Sequence, residues 1–233
     1  VWFGERWITS IFDLFEENVR YFPALLAECS DEDPVAVLES GRAPELEELR
    51  LHNGTVYRWN RPIYDTVGGQ PHLRVENRVL PAGPTIRDVM ANAAFYYGLV
   101  RVLANEDRPV WTQMSFAAAE QNFRECARRG IESRVYWPGF GEVGIDELVL
   151  RHLLPLAYQG LADWGVSTAV MDRYLTVIEG RATAGVNGAT WQADTVAMLE
   201  EQGLDRAEAL RRMLELYVEN MHTNEPVHTW RVG

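Results

Sequence analysis

Apolar residues in the first forty positions recur with helical spacing. One series keeps the three- and four-residue spacing of a single helix face: Ile11, Leu14, Phe15, Val19 and Phe22. Ser10 precedes this series and predicts the helix start, because its hydroxyl accepts from a backbone N–H of the first turn. Asp33-Pro34 predicts a second, short helix that ends at Gly41, since proline suits the first turn and glycine the residue after the last.

Shorter apolar runs, typical of strands, replace this pattern between residues 48 and 80. Asn53-Gly54 separates the runs 49–51 and 56–59 and predicts a β-hairpin, because Asn-Gly favours a type I′ turn. A further strand is predicted over 72–79, after a loop rich in glycine and proline. A few antiparallel strands form a poor sheet alone, so we expect the segment 48–80 to complete a larger one.

Helical periodicity dominates the rest of the chain, over residues 85–223. The spacing predicts six helices, near 85–104, 115–129, 146–163, 168–182, 190–202 and 205–221. Residues 134–137 predict a short strand. The glycine-rich run 139–144 lacks the Lys-Ser/Thr of a phosphate loop and is interpreted as a surface loop. The expected fold is therefore α+β, a small antiparallel sheet piece followed by a predominantly helical part.

Composition narrows the class of protein. The 233 residues carry a net charge of −12, which makes nucleic acid an unsuitable partner, and 47% of them are hydrophobic, enough for a core. No apolar run approaches the ~20 residues that cross a bilayer. Cys29 and Cys126 lie apart in helix-like segments and are interpreted as reduced thiols of a cytoplasmic protein. The start without methionine indicates a fragment of a longer chain.

The most informative stretch is the predicted strand 72–79. Side chains alternate between the two faces of a strand, so Arg74, Glu76 and Arg78 share one face with His72. The other face, formed by apolar residues and Asn77, is expected to pack on a core. Arginines bind phosphate or carboxylate through two parallel hydrogen bonds, and carboxylates bind Mg²⁺. The alternative is a solvated sheet face with Arg–Glu pairs.

These residues resemble a known family. Arg-x-Glu-x-Arg on a strand, followed by a turn and a helix rich in small residues over 88–98, is similar to a signature of the glutamine synthetase fold. Trp59 and Arg61-Pro62 before the strand, and the Asn-x-x-x-x-Ala-Arg-x-Gly run of 122–130, resemble glutamate–cysteine ligase family 2 and the bacterial carboxylate–amine ligases. The resemblance implies the C-terminal portion of a glutamine synthetase/guanidino kinase-like fold.

The resemblance also implies roles for single residues. Glu76 would be a Mg²⁺ ligand and Arg78 the catalytic arginine that meets the transferred phosphate or the substrate carboxylate. Three residues would bind substrate: Trp59, Arg61 and His72. Three would lie on the ATP side: Arg74, Asn122 and Arg128. The approach to the strand, residues 65–71, is longer than the tight lead found in the family.

The implied activity is an ATP- and Mg²⁺-dependent ligase that joins the γ-carboxylate of glutamate to an amine through an acyl phosphate, with cysteine as first candidate, as in glutathione biosynthesis. In this fold the other metal carboxylates come from an N-terminal portion, and no paired-carboxylate strand precedes residue 48. The chain, 1–233, is therefore expected to supply half an active site, to need the missing portion as its partner, and to be inactive alone. A homo-oligomer is a further expectation.

Two alternatives stay open. A non-catalytic relative would keep the fold as a carboxylate-binding or assembly module. A guanidino-kinase-like phosphotransferase would need a reactive cysteine, for which neither Cys29 nor Cys126 is well placed. His222 and His228 have neither helix-face nor zinc-motif spacing. Trp191 is interpreted as a core residue, and the amphipathic helix 205–221 is assigned to packing or assembly.

Overall fold

The computed structural model describes residues 2–26 and 30–232, and the chain divides into two compact units, Val1–Leu80 and Pro81–Gly233. The fold is α+β, with two separate two-stranded antiparallel sheets among the described residues. The helices are α1 (Ile11–Tyr21), α2 (Pro34–Glu39), α3 (Glu47–Thr55), α4 (Ile86–Leu103), α5 (Phe116–Arg129), α6 (Ile145–Leu148), α7 (Leu154–Asp163), α8 (Thr168–Ala184), α9 (Gly188–Glu201) and α10 (Arg206–Thr223). The strands are β1 (Asn60–Val67), β2 (Gln70–Asn77), β3 (Arg134–Trp137) and β4 (Gly141–Gly144).

The two N-terminal helices begin where their caps predict. Ser10 accepts from the backbone N–H of Phe12, and Asp13 completes a capping box by accepting from the N–H of Ser10. Asp33 accepts from the first free N–H groups of α2, whose first residue is proline. Both predictions are confirmed, because a capped helix start depends mainly on neighbouring residues.

The β-hairpin predicted at Asn53-Gly54 is wrong, because these residues close helix α3. Asn53 is buried, and its side-chain oxygen accepts from Nδ2 of Asn18 on α1 at 2.8 Å. Nε2 of His52 likewise forms a hydrogen bond with the backbone oxygen of Phe22 at 2.9 Å. These contacts with distant residues favour the helix over the local turn preference of Asn-Gly.

The true hairpin of the N-terminal unit joins β1 and β2. Its turn is Gly68-Gly69, where both φ angles are positive, as a tight hairpin turn requires. Pro62, predicted in a loop, lies inside β1 opposite Val75, which a two-stranded ribbon tolerates because each strand has a free edge. Beyond the end of β2, the N–H of Arg78 donates to the carbonyl of Trp59 at 2.9 Å.

A buried ion pair lies beside this hairpin. Arg58, 3% exposed, donates to Glu17 on α1 at 2.8 Å and to the side-chain oxygen of Asn18 at 2.8 Å. The ring of Trp2 stacks 5.0 Å from its guanidinium. A charge withdrawn from water needs such partners, so this network fixes the entry into β1 against α1.

Helices α4, α7 and α8 form the main core of the C-terminal unit. Gly98 and Gly160 let the backbones of α4 and α7 touch, since a Cβ on Gly98 would overlap the carbonyl oxygen of Ala157. The helix predicted over 146–163 is confirmed, with one wider π-helical turn at Val149–Leu153. That turn precedes Pro155, which has no N–H to donate to the preceding turn.

The run 139–144 is not a surface loop, because its last four residues form strand β4, which pairs with β3. Val135 and Val143 lie opposite each other and are buried. They pack with Leu148 and Leu153 in a second apolar cluster. Strand β4 has only four residues, with glycine at both ends. Its alternation of apolar and polar residues is therefore too short to predict a strand from sequence.

The C-terminal segment is held by one buried carboxylate. Asp88 on α4 is fully buried, accepts from Arg181 on α8 at 2.5 Å, and accepts from the backbone N–H of Val227 at 3.2 Å. His228 follows and lies against Gly180, where a Cβ would overlap its ring. Trp191 is fully buried under Trp230, which confirms its interpretation as a core residue. No helix within the described ranges has the length and apolar character to cross a bilayer.

Candidate functional site

The hairpin β1–β2 gathers charged side chains on one face, here termed the charged face. Residues directly opposite each other in an antiparallel pair point to the same side, and the register pairs Arg61 with Glu76 and Asp65 with His72. Arg74 lies on the same side of β2, opposite Ile63, and the Arg78 side chain reaches Glu76 from just beyond the strand. The charged face therefore consists of Arg61, Asp65, His72, Arg74, Glu76 and Arg78.

Two arginines converge on Glu76. Its Oε2 atom lies 2.8 Å from Nε of Arg61 and 3.6 Å from Nε of Arg78. Arg61 Nε and Glu76 Oε2 are shielded from solvent, yet they are out of line for a hydrogen bond, so the contact is an ion pair. The ring of Tyr57 lies 5.7 Å from the Arg78 guanidinium. The alternation along β2 predicts that Glu76 and Arg78 share a face. The pairing of β1 with β2 adds Arg61 to them.

The other end of the face is arranged around Asp65. Arg74 lies 3.8 Å from Oδ2 of Asp65 and 3.2 Å from Nδ1 of His72. Arg50 on α3 lies 3.4 Å from Oδ1 of Asp65 and 2.9 Å from Glu45. Neither Asp65 nor Arg50 is among the site residues expected from the sequence. Asp65 lies four residues after Arg61 on β1, so the two-residue alternation of a strand could have placed it on this face. Nothing in the sequence around Arg50 indicates that it reaches the site from α3.

Arginine side chains are concentrated at this site although the chain as a whole is acidic. Four arginines, including Arg50, face three carboxylates, including Glu45. A cleft of about 210 Å³ opens at the Asp65 end of this group and does not include Glu76 or Arg78 in its lining, which is Arg50, Asn53, Gly54, Arg61, Ile63, Tyr64, Asp65 and Arg74. Since pockets for drug-sized ligands span roughly 300–1,000 Å³, the cleft suits a phosphate or carboxylate group rather than a whole nucleotide.

The apolar face of β2 is not packed on a core within the N-terminal unit, contrary to expectation. Leu73 is 54% exposed and Val75 48%. Leu73 borders an open apolar groove of about 560 Å³, formed with α1 and with Leu49 and Tyr64. Helix α1 is too narrow to cover this whole face of the two-stranded sheet, so Leu73 and Val75 stay partly exposed.

The residues of the charged face suit the phosphates of ATP better than they suit Mg²⁺. The arginines suit phosphate oxygens, because guanidinium groups stay charged and bind oxyanions in pairs. Both ion pairs of Glu76 use Oε2, and no salt bridge of the described residues involves Oε1. No group of three or more acidic, histidine or cysteine side chains that could hold a metal is found among residues 2–26 and 30–232. Mg²⁺ often takes only one or two carboxylates besides phosphates and water, a role that Glu76 fits in part.

Three other expected residues lie outside or beside the charged face. Trp59 precedes β1, and its carbonyl accepts from the N–H of Arg78. Asn122 belongs to the C-terminal unit, where its amide exchanges two hydrogen bonds with the backbone of Tyr136, at 2.7 and 2.9 Å. This links α5 to β3. Arg128 lies in the last turn of α5.

The cysteine relevant to phosphotransferase chemistry is Cys126, since Cys29 falls outside the described residues. Cys126 is half-buried on α5, and burial raises the pKa of its thiol while a hydrogen bond with Ser133 opposes that shift. A raised pKa keeps the thiol protonated and unreactive at neutral pH.

No family model, curated protein or solved structure matches this chain.

Proposed function

We propose that the charged face is the phosphate- and carboxylate-binding part of an ATP- and Mg²⁺-dependent ligase. The substrate carboxylate is the γ-carboxylate of glutamate, and cysteine is the first candidate amine. The observation that carries the proposal is the convergence of Arg61 and Arg78 on Glu76 across the hairpin. The sequence resemblance to glutamate–cysteine ligase family 2 supports the same assignment.

The reaction needs charge neutralisation more than a protein nucleophile. A glutamate carboxylate oxygen attacks the γ-phosphorus of ATP and ADP leaves; the amine then attacks the acyl carbon, inorganic phosphate leaves and the amine loses its proton. Arg78 and Arg61 are close enough to share one oxyanion, as their common contact with Glu76 indicates. Donors held in place before charge develops lower the barrier without reorganisation. We assign Arg78 to the transferred phosphoryl group and Arg61 to the substrate carboxylate.

The remaining groups have supporting roles in this proposal. Mg²⁺, when bound, would neutralise phosphate oxygens, and Glu76 would offer it one carboxylate oxygen. Arg74, oriented by Asp65 and His72, would face the nucleotide phosphates. Further metal ligands would come from another portion of the polypeptide, so the 233-residue chain alone should bind ATP weakly and not turn over. An ATP-consuming reaction of glutathione biosynthesis would place the protein in the cytoplasm.

A second candidate is a module that binds a carboxylate metabolite without catalysis. The observation that favours it is that Glu76 already pairs with both arginines, while the described residues contain no cluster of metal-binding side chains. A free carboxylate would then displace Glu76 from the arginines, and no phosphate transfer would follow.

The test is ADP release by a polypeptide that contains this chain together with its N-terminal portion. With ATP, Mg²⁺, glutamate and cysteine present, we expect ADP formation that requires both glutamate and the amine. Calorimetry with glutamate alone separates the second candidate, which predicts binding without ADP release. Absence of both binding and ADP release contradicts both candidates.

A further inference from the structure

Helix α10 carries a second apolar face that the C-terminal unit leaves uncovered. Its inner face buries Ala209 and packs Met213, Leu216 and Tyr217 in the core. On the adjoining part of the helix surface four large apolar side chains remain 37–58% exposed: Leu210, Leu214, Val218 and Met221. Together with the exposed Ala207 they are termed the α10 stripe.

The stripe is continuous along the helix. At 3.6 residues per turn its five positions fall within about 80° of the helix circumference, and from Ala207 to Met221 they extend about 21 Å. Scattered exposed apolar residues are ordinary on protein surfaces. A row confined to one helix face over four turns has the pattern of a helix–helix contact instead.

The stripe is complementary to a reversed copy of itself. When the helix is turned end for end about Leu214, Leu210 meets Val218 of the copy and Ala207 meets Met221. Leu214 then lies on the axis and meets its own equivalent. Such a pattern matches a two-fold symmetric interface, in which the same patch is used by both subunits.

Charges beside the stripe favour the same orientation. Arg211 borders the stripe and pairs within its own helix with Glu215 and Glu208. In the antiparallel arrangement Arg211 lies level with residue 217 of the copy, between that copy's Glu215 and Glu219. In a parallel two-fold arrangement Arg211 and the Glu215 of the copy would lie on opposite sides of the contact and could not pair.

We propose that two copies of this chain associate through the α10 stripe, antiparallel and with Leu214 on the two-fold axis. The stripe consists of five side chains on one helix. The area that these side chains can bury is below the ~1,200 Å² of total buried area typical of stable complexes. The dimer is therefore weak and concentration-dependent unless other surfaces join it.

Sedimentation velocity of the 233-residue chain over a wide concentration range tests the contact. The wild-type chain should shift from monomer to dimer as concentration rises, and Leu214→Glu should stay monomeric because it buries two carboxylates at the axis. Val170→Glu, at a side chain 45% exposed on α8, is the matched control and should dimerise like the wild type. Circular dichroism checks that both variants fold. A wild-type chain that is monomeric throughout, or a dimer that survives Leu214→Glu, overturns the proposal.

Charge reversal tests the orientation. Arg211→Glu and Glu215→Arg should each weaken the dimer by facing like charges across the axis, whereas an equimolar mixture should regain it. In the mixture the new carboxylate at position 211 of one variant faces the new guanidinium at position 215 of the other. The native Arg211 of the second variant likewise faces the native Glu215 of the first. The pair within each helix remains lost, so recovery can only come from the contact between chains. If the mixture dimerises no better than the single variants, the antiparallel contact is wrong.

Discussion

The Nε atom of Arg61 and the Oε2 atom of Glu76 lie 2.8 Å apart across the β1–β2 hairpin, and both are shielded from solvent. The Glu76 side chain is nevertheless 38% exposed, so it is anchored at one oxygen and accessible elsewhere. An arginine and a carboxylate held in this way combine a fixed geometry with access for a ligand. That combination suits an oxyanion site better than a simple surface ion pair, whose side chains are usually free to move.

Arg78→Lys should lower kcat of the ligase far more than it weakens ATP binding. Lysine keeps the charge but loses the planar fork that holds two oxygens of a transferring phosphate. Losing one such donor typically costs ~10²–10³-fold in rate. Steady-state kinetics of the polypeptide that contains this chain measures the effect, with the exposed Arg20→Lys on α1 as control. Unchanged kinetics in Arg78→Lys would end the assignment of this arginine to catalysis.

Glu76→Gln should first raise the Mg²⁺ concentration that half-maximal activity requires. The amide keeps the shape of the side chain but removes the charge that attracts the cation and that balances Arg61 and Arg78. Initial rates measured against Mg²⁺ at saturating ATP report the shift. If these residues only pair on a solvated face, the substitution should cost under ~1 kcal/mol of stability and leave the Mg²⁺ dependence unaltered.

Gly98→Ala should destabilise the C-terminal unit by about 1–3 kcal/mol or more, because the new methyl group meets the backbone of Ala157 and forces α4 from α7. Gly54→Ala, in α3 with open space around it, is the matched helical control and should be neutral or stabilising by up to about 1 kcal/mol. Thermal unfolding followed by circular dichroism compares them. Equal melting temperatures for the two variants would contradict the close backbone contact.

His228 should make the C-terminal unit less stable as pH falls below about 6.5. Burial lowers the pKa of His228, and the Arg181 and Arg87 guanidinium groups lower it further, against an opposing effect of Asp88. The unfolded chain therefore binds a proton at a higher pH than the folded one, and stability is lost as pH drops from the unfolded value through the folded one. Melting temperatures between about pH 7.5 and 5.5 should fall less in His228→Gln than in the wild type. The control His222→Gln should behave like the wild type.

Local sequence was sufficient for much of this architecture. Ser10 and Asp33-Pro34 start their helices because capping involves only neighbouring residues. The helices from α4 onwards follow their apolar periodicity, since each has to bury one face. The grouping of Arg74 with Glu76 also followed from the sequence, because strand side chains alternate whatever the surroundings.

Contacts between distant residues decided the rest. Asn53-Gly54 ends a helix because Asn53 is buried against Asn18, a partner that local propensity does not include. Arg61 and Asp65 join the charged face through the register of β1 with β2, and Arg50 joins it from α3. Sequence by itself thus determined which residues share one face of one element. Only the tertiary structure decided which elements bring their faces together, because pairing and packing depend on groups far apart along the chain.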